Sequence, residues 1–383
     1  MNARPLGALA PLAAAVTCVA IPLLVWAQPA RRDAGAALRD AGVARPDAGP
    51  ARRDAGATDA TAGAPADAAV PPDAAASAVR TLSLATLAPI GSTWMRTLEA
   101  WNRDLRRRTG ATLSLRIYPN GVQGDEGEVV RKVRSGRLDG GALTAVGLAL
   151  IHRPVLVFQA PGLFADDAAL DRTRDALAPE LEAGFAQAGF ALVGWGDAGT
   201  DRVFSDRAVR SPDDLARTRL FLWSDDLLSP TLYEELHVRG VPMGLPEVLT
   251  SLQTRTLDTV IAPPIAVASL QWAAHVTHMT DLRVATEVGA LVFGRAQLDS
   301  LSPAQRDALR ETARQYAGLL VRNVRREDDG AVAPMRARGL AVDAVTPAER
   351  ARWEAAFART RARLVGVLAE APFLERVERL ARP

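Results

Sequence analysis

Thr81-Leu82-Ser83-Leu84-Ala85-Thr86, followed by Leu87-Ala88-Pro89-Ile90-Gly91-Ser92, decides how this chain folds. The first six residues alternate polar and apolar, the period-two pattern of a half-buried strand. Ser92 is a helix N-cap residue. Beyond it Trp94, Leu98, Trp101 and Leu105 recur on one helical face until Gly110 stops the helix. A strand that hands over to an amphipathic helix is the repeating unit of α/β folds. Downstream the unit recurs. Thr112 to Tyr118 reads as a second strand closed by Pro119-Asn120-Gly121, and a short helix carries Val129, Val130 and Val133 to Gly136. A third strand covers Leu138 to Val146. Strands follow at Phe190–Trp195, Arg219–Trp223 and Leu257–Ala262, with helices at Leu227–Leu236 and Pro246–Gln253. A long helix starts at Ser302-Pro303 and runs past Tyr316 and Leu320. The pattern predicts an α/β chain with a largely parallel sheet. Single cores stop growing at about 250–300 residues, so two lobes are expected, with any ligand in a cleft beyond the carboxyl ends of the strands.

Upstream the composition changes. Arg4 precedes an apolar run from Leu6 to Trp26, broken by Pro11 and Pro22, and Val25-Trp26-Ala27 suits a cleavage site. Residues 1–27 read as a signal peptide, with an uncleaved anchor as the rival. Residues 28–79 are nearly all Ala, Asp, Arg, Gly and Pro, and Asp-Ala-Gly recurs at Asp33, Asp40, Asp47 and Asp54. No large apolar residue fills a heptad core position, so ordering entropy goes uncompensated and a disordered tether is expected. Export follows, and with it a periplasmic location.

Composition excludes much. Charged residues are 23% of the chain and leave a formal net charge of +2, and no basic block is interleaved with aromatics, so nucleic acid is not an expected partner. Cys18 is the only cysteine and lies in the leader, which removes thiolate metal sites and cysteine nucleophiles from the folded part. Gly194-Trp195-Gly196-Asp197-Ala198-Gly199 matches the dinucleotide fingerprint, but Thr200 to Phe204 reads as another strand where a phosphate-binding helix should begin; a Gly-rich turn between lobes is the better reading. His275, His278 and Asp281 are three apart without a fourth ligand or a convincing helix, and read as surface or core-edge residues. Asp213-Asp214 and Asp225-Asp226 fall at helix starts, where acids favour the positive end of the dipole. No cofactor, metal or catalytic residue is expected, and the chain reads as a binding protein, not an enzyme.

Several segments together carry a resemblance. Leu84-Ala85-Thr86 through Gly91-Ser92, Ile117-Tyr118-Pro119-Asn120-Gly121, Val133-Arg134-Ser135-Gly136-Arg137-Leu138-Asp139, Pro161-Gly162-Leu163-Phe164, Ser211-Pro212-Asp213-Asp214-Leu215 and Ser251-Leu252-Gln253-Thr254 with Asp258 are similar, in order and spacing, to the substrate-binding subunits of TRAP (tripartite ATP-independent periplasmic) transporters. The resemblance implies an α/β, two-lobed solute-binding fold with a lobe-spanning helix and closure on a ligand. It implies lobe I from residues 80–198 and 287–326, and lobe II from 199–286 and 327–383. The partners it implies are a TRAP-type membrane permease and, as in some relatives, a periplasmic helical-repeat protein; the receptor itself is expected to be a monomer.

The departures matter. The family's carboxylate-clamping arginine aligns with Phe221, and a second polar contact aligns with Ala262. A guanidinium fork is what makes such a clamp strong, and Phe221 supplies no donor. The resemblance places Ser92, Thr93, Trp94, Thr144, Ala145, Trp195, Phe221, Trp223, Met243 and Ala262 around the cleft. Arg202 either reaches it or pairs with Asp201 or Asp206 at the surface. This set predicts a neutral or hydrophobic ligand; the alternative is a carboxylate held by Arg202. A tethered interaction protein that no longer transports is a third reading, and a nucleotide- or metal-dependent enzyme using the Gly-rich turn or the His pair is a fourth.

Overall fold

The computed structural model describes residues 79–382, so the signal peptide and nearly all of the tether lie outside the described residues. Eleven strands are described: β1 Arg80–Thr86, β2 Leu113–Tyr118, β3 Gly140–Thr144, β4 Phe190–Thr200, β5 Arg202–Ser205, β6 Leu220–Trp223, β7 Gly240–Met243, β8 Thr259–Ala262, β9 His278–Thr280, β10 Thr286–Gly294 and β11 Ala341–Asp343. They form two sheets. The first has the order β2-β1-β3-β10-β4 and the second β11-β9-β5-β8-β6-β7. The chain passes from the first to the second between β4 and β5, returns between β9 and β10, and crosses again along the helix Pro303–Ala337.

The sheets are mixed rather than largely parallel. β1 pairs parallel with β2 and β3, but β10 runs antiparallel between β3 and β4, and β5 runs antiparallel to β8 and β9. The reversal follows from the crossings, because a strand that re-enters a sheet from the other lobe arrives without a βαβ crossover. The third strand is also shorter than its apolar run. It stops at Thr144, whose hydroxyl caps a buried helix at Ala145–Ala149. An unbroken apolar stretch does not distinguish a buried strand from a buried helix.

Ser92 caps the helix Thr93–Arg108 by accepting from the Met95 N–H at 3.3 Å. Trp101 is fully buried beneath it and donates to Thr312 Oγ1 of the long helix at 2.9 Å. The long helix begins at a capping box in which Ser302 and Gln305 bond each other's backbone. It lies on β4 because that strand is glycine-rich. A Cβ on Gly194 would stand 2.7 Å from the Ala317 Cβ, and one on Gly196 would stand 3.1 Å from both Leu320 and Trp94. The GxGxxG pattern is therefore neither a phosphate loop nor a turn between lobes. It lies within β4, where the missing side chains admit a helix and an indole.

The helix is also tied by charge. Asp197 on β4 is almost wholly buried and accepts from Arg174 Nη1 and Arg325 Nε, each at 2.6 Å. Arg325 then grips Asp171 with two parallel bonds of 2.8 and 2.7 Å. Such forked pairs hold geometry as well as energy.

Candidate functional site

A cavity of about 150 Å³ opens between the two sheets. The first sheet contributes Thr86, Thr144, Ala198 and Glu287; the second contributes Phe221, Trp223, Ile261 and Ala262. Ser92, Thr93 and Trp94 bring the N-terminal end of the helix Thr93–Arg108 to the wall. A helix leaves its first N–H groups without intrahelical acceptors and carries a partial positive charge there. Phe221 is held from behind. Its carbonyl accepts from the buried Tyr233 hydroxyl at 2.7 Å, and its ring meets Trp272 edge-on at 6.4 Å.

A smaller cavity of about 60 Å³ shares Phe221, Trp223, Ile261 and Glu287 with the first. Asp201, Asp226, Gln159, Ser229 and Tyr233 complete its polar lining. The two spaces share these walls, and acids dominate the charge around them. Burial pushes Glu126 up to about 8, although its carboxyl accepts from Thr144 N, Thr144 Oγ1 and Gly147 N at 2.8, 2.9 and 2.7 Å. Burial, with Asp226 nearby, pushes Glu287 up to about 7. Asp201 is raised by burial and then by Glu287, Asp328 and Asp226; Asp226 is raised by burial alone. Among the described residues, no lysine, arginine or histidine lines either cavity.

Contacts span the opening. Asp125 caps the helix Glu126–Arg134 through Oδ1, 2.8 Å from the Glu126 N–H. Its Oδ2 accepts from Trp223 Nε1 at 2.9 Å and from the Leu245 N–H at 3.1 Å. Arg96 on the cavity helix pairs with Glu327 of the long helix at 2.7 Å, and Thr93 also bonds Glu327.

Of the residues singled out in the sequence, Ser92, Thr93, Trp94, Thr144, Phe221, Trp223 and Ala262 meet on the main cavity wall. Four do not. Trp195 faces away because Gly196, its neighbour on an alternating strand, takes the Trp94 side; Trp195 stacks edge-on against Phe158 at 5.7 Å. Ala145 is fully buried one residue past Thr144. Met243 sits on the edge strand β7 and packs into the core of the second lobe. Arg202 pairs its backbone with Ala262 in the β5–β8 ladder, but lies on neither cavity wall. Its pKa is lowered by burial and then by Arg283, and its Nη1 is buried without a hydrogen-bond partner.

The acids were not anticipated as a group. Asp226 was read as a helix-start residue, and it does bond the Leu228 N–H at 2.8 Å and the Ser229 hydroxyl. Glu287 carried a usable signal, since it is the lone charge in the apolar run Val284 to Gly294. His278 Nδ1 lies 2.8 Å from Asp343 Oδ2, and among the described residues no group of His, Cys, Asp and Glu is placed to hold a metal ion. Among the same residues, no helix is long and apolar enough to cross a membrane.

Residues 84–365 match the family model of the bacterial extracellular solute-binding proteins, family 7. A solute-binding protein of Verminephrobacter eiseniae is 26% identical over 267 residues, covering 69% of this chain and 79% of its own. Two solved structures share the fold. One is a TRAP periplasmic solute-binding protein from Roseobacter denitrificans with bound β-D-glucuronate: TM-score 0.73, 19% identity, 79% of this chain and 99% of that chain. The other is a TRAP periplasmic solute-binding protein from Shewanella oneidensis with bound succinate: TM-score 0.75, 16% identity, 80% of this chain and all of the other. All three are solute-binding proteins. With its two sheets, long crossing helix and intervening cavity, the chain belongs to the family 7 bacterial extracellular solute-binding proteins and shares the fold of TRAP periplasmic solute-binding proteins.

Proposed function

We propose that this receptor captures a small organic acid between its lobes and delivers it to TRAP-type membrane subunits. The observation that carries the reading is the cavity itself, which lies between the two sheets and is faced by the N-terminal end of the helix Thr93–Arg108. Helix N-termini are ready acceptors of anions. The bound molecules of the two structures named above, glucuronate and succinate, are organic acids, which favours the same class here. The expectation of a neutral or hydrophobic ligand has no such support. It rests on the apolar residues Trp195, Phe221, Trp223, Met243 and Ala262, of which Trp195 and Met243 lie off the cavity wall. Arg202, the cation the sequence offered for an acid, stands on the strand beside Ala262 but off both cavity walls, so the helix N-terminus carries this reading.

The lobe boundaries belong to the same proposal: residues 80–198 and 287–326 close against 199–286 and 327–383. Ligand contacts that form only between closed lobes shift the population toward the closed state. Titration calorimetry with a panel of organic acids tests the reading. A saturable heat with at least one acid of the panel is expected. Binding of neutral or apolar compounds with no response to any acid would refute it.

A further inference from the structure

The small cavity has a charge problem that an ordinary organic acid does not solve. Asp201, Asp226 and Glu287 converge on it, and no ion pair is made by any of the three among the described residues. Asp201 is 7% exposed, and its Oδ1 has no hydrogen-bond partner. Its sequence neighbour Arg202 has the opposite charge and an equally unpartnered Nη1, yet the two make no salt bridge with each other. A buried charge without a partner costs several kcal/mol, so protein groups left this way are compensated by a proton or by something bound. Burial, and then the neighbouring Asp226, hold the Glu287 carboxyl up to about 7.

We infer that the small cavity is a subsite for a protonated amine, so that the captured acid also carries an ammonium group. The inference rests on the organic-acid reading above and narrows it to amino acids and similar zwitterions. An ammonium offers three N–H donors on a compact charge, which suits three converging carboxyls. Phe221 and Trp223 also line this cavity, and aromatic rings attract cations. The carboxylate end of the same molecule would lie in the larger cavity, toward the helix N-terminus at Ser92 and Thr93. Cavities of about 150 Å³ hold a benzene-sized molecule elsewhere, and the two spaces share Phe221, Trp223, Ile261 and Glu287, so a short chain with one charge at each end would reach from one to the other. Phe221, where a clamp would otherwise stand, then serves as the wall between the two ends.

Matched pairs test this. Calorimetry on the purified full chain compares 4-aminobutanoate with butanoate, 5-aminopentanoate with pentanoate, and 6-aminohexanoate with hexanoate. The amino member of at least one pair should bind at least about tenfold tighter than its partner. Asp201→Asn and Glu287→Gln should each remove most of that preference, and Asp201→Asn, at a residue that lines only the smaller cavity, should leave the weaker binding of the plain acid unchanged. Both variants are near-isosteric, and their melting temperatures report folding separately. Plain acids binding as tightly as their amino partners would overturn the ammonium subsite and leave the organic-acid reading standing. Failure of every compound to bind would count against both.

Discussion

Replacing Asp125 by Asn separates the latch across the cleft from the helix cap on the same side chain. Asp125 Oδ1 caps the Glu126 N–H, and Asn caps as well as Asp does. Oδ2 accepts from Trp223 Nε1 at 2.9 Å and Leu245 N at 3.1 Å, across the opening. An amide nitrogen in that place donates and cannot accept either bond. Hydrogen bonds to a charged acceptor contribute about 1.5–3 kcal/mol each, and two bonds that share one oxygen do not add in full. The loss to the closed state is therefore about 1.5–3 kcal/mol, a factor of about 10–150 in the closing equilibrium. If only the closed form holds the ligand tightly, apparent affinity falls by the same factor once that form is a minor species. Calorimetry gives the affinity, and small-angle scattering of the ligand-free protein gives the size. The expected result is weaker binding, a larger radius of gyration and a nearly unchanged melting temperature. Asp125→Asn with affinity within about twofold of the parent and an unchanged radius would refute the latch.

The remaining predictions concern stability and proton balance. Asp197→Ala leaves the buried Arg174 facing only Asp171 and takes one partner from Arg325, and should cost about 3–5 kcal/mol in urea unfolding; a loss below about 1 kcal/mol would refute the hub. Gly194→Val inserts atoms where Ala317 already lies 2.7 Å from a Cβ, so overpacking of the long helix on β4 should cost about 1–3 kcal/mol, read as a lower denaturant midpoint. Glu126 is held up to about 8, above its unfolded value, so the folded state keeps a proton that the unfolded chain releases. Stability from this group is whole below the unfolded pKa and is lost as pH rises toward about 8, so melting temperature should fall between about pH 5.5 and 8. Glu126→Gln should flatten that slope, and an unchanged slope would count against burial as its cause.

The alternation at Thr81–Thr86 and the Trp94, Leu98, Trp101, Leu105 stripe were enough to place β1 and its helix, because burial on one face writes a period into the chain. Sheet direction was not legible. Whether β10 runs parallel or antiparallel to β3 depends on the chain's path through the other lobe, which no local pattern records. The cavity wall was legible where it lies on motif-bearing segments, as at Ser92 to Trp94 and at Phe221 and Trp223. It was misplaced where one residue of alternation or one step into a helix decides orientation, as for Trp195 and Ala145. The acids escaped notice because Asp201, Asp226 and Glu287 come from three separate strand ends and loops, and only the packing of Tyr233 and Phe221 between them makes one cavity.

Native mass spectrometry of the freshly purified receptor tests the central claim most directly, because it weighs whatever occupies the cavity without assuming its identity. The account predicts a single adduct in the mass range of a small organic acid, lost on denaturation and identified in the released fraction as a compound with both a carboxyl group and a basic nitrogen. A lipid or other uncharged apolar adduct, or a receptor that stays at its bare mass when challenged with every acid and amino acid of the panel, would contradict it.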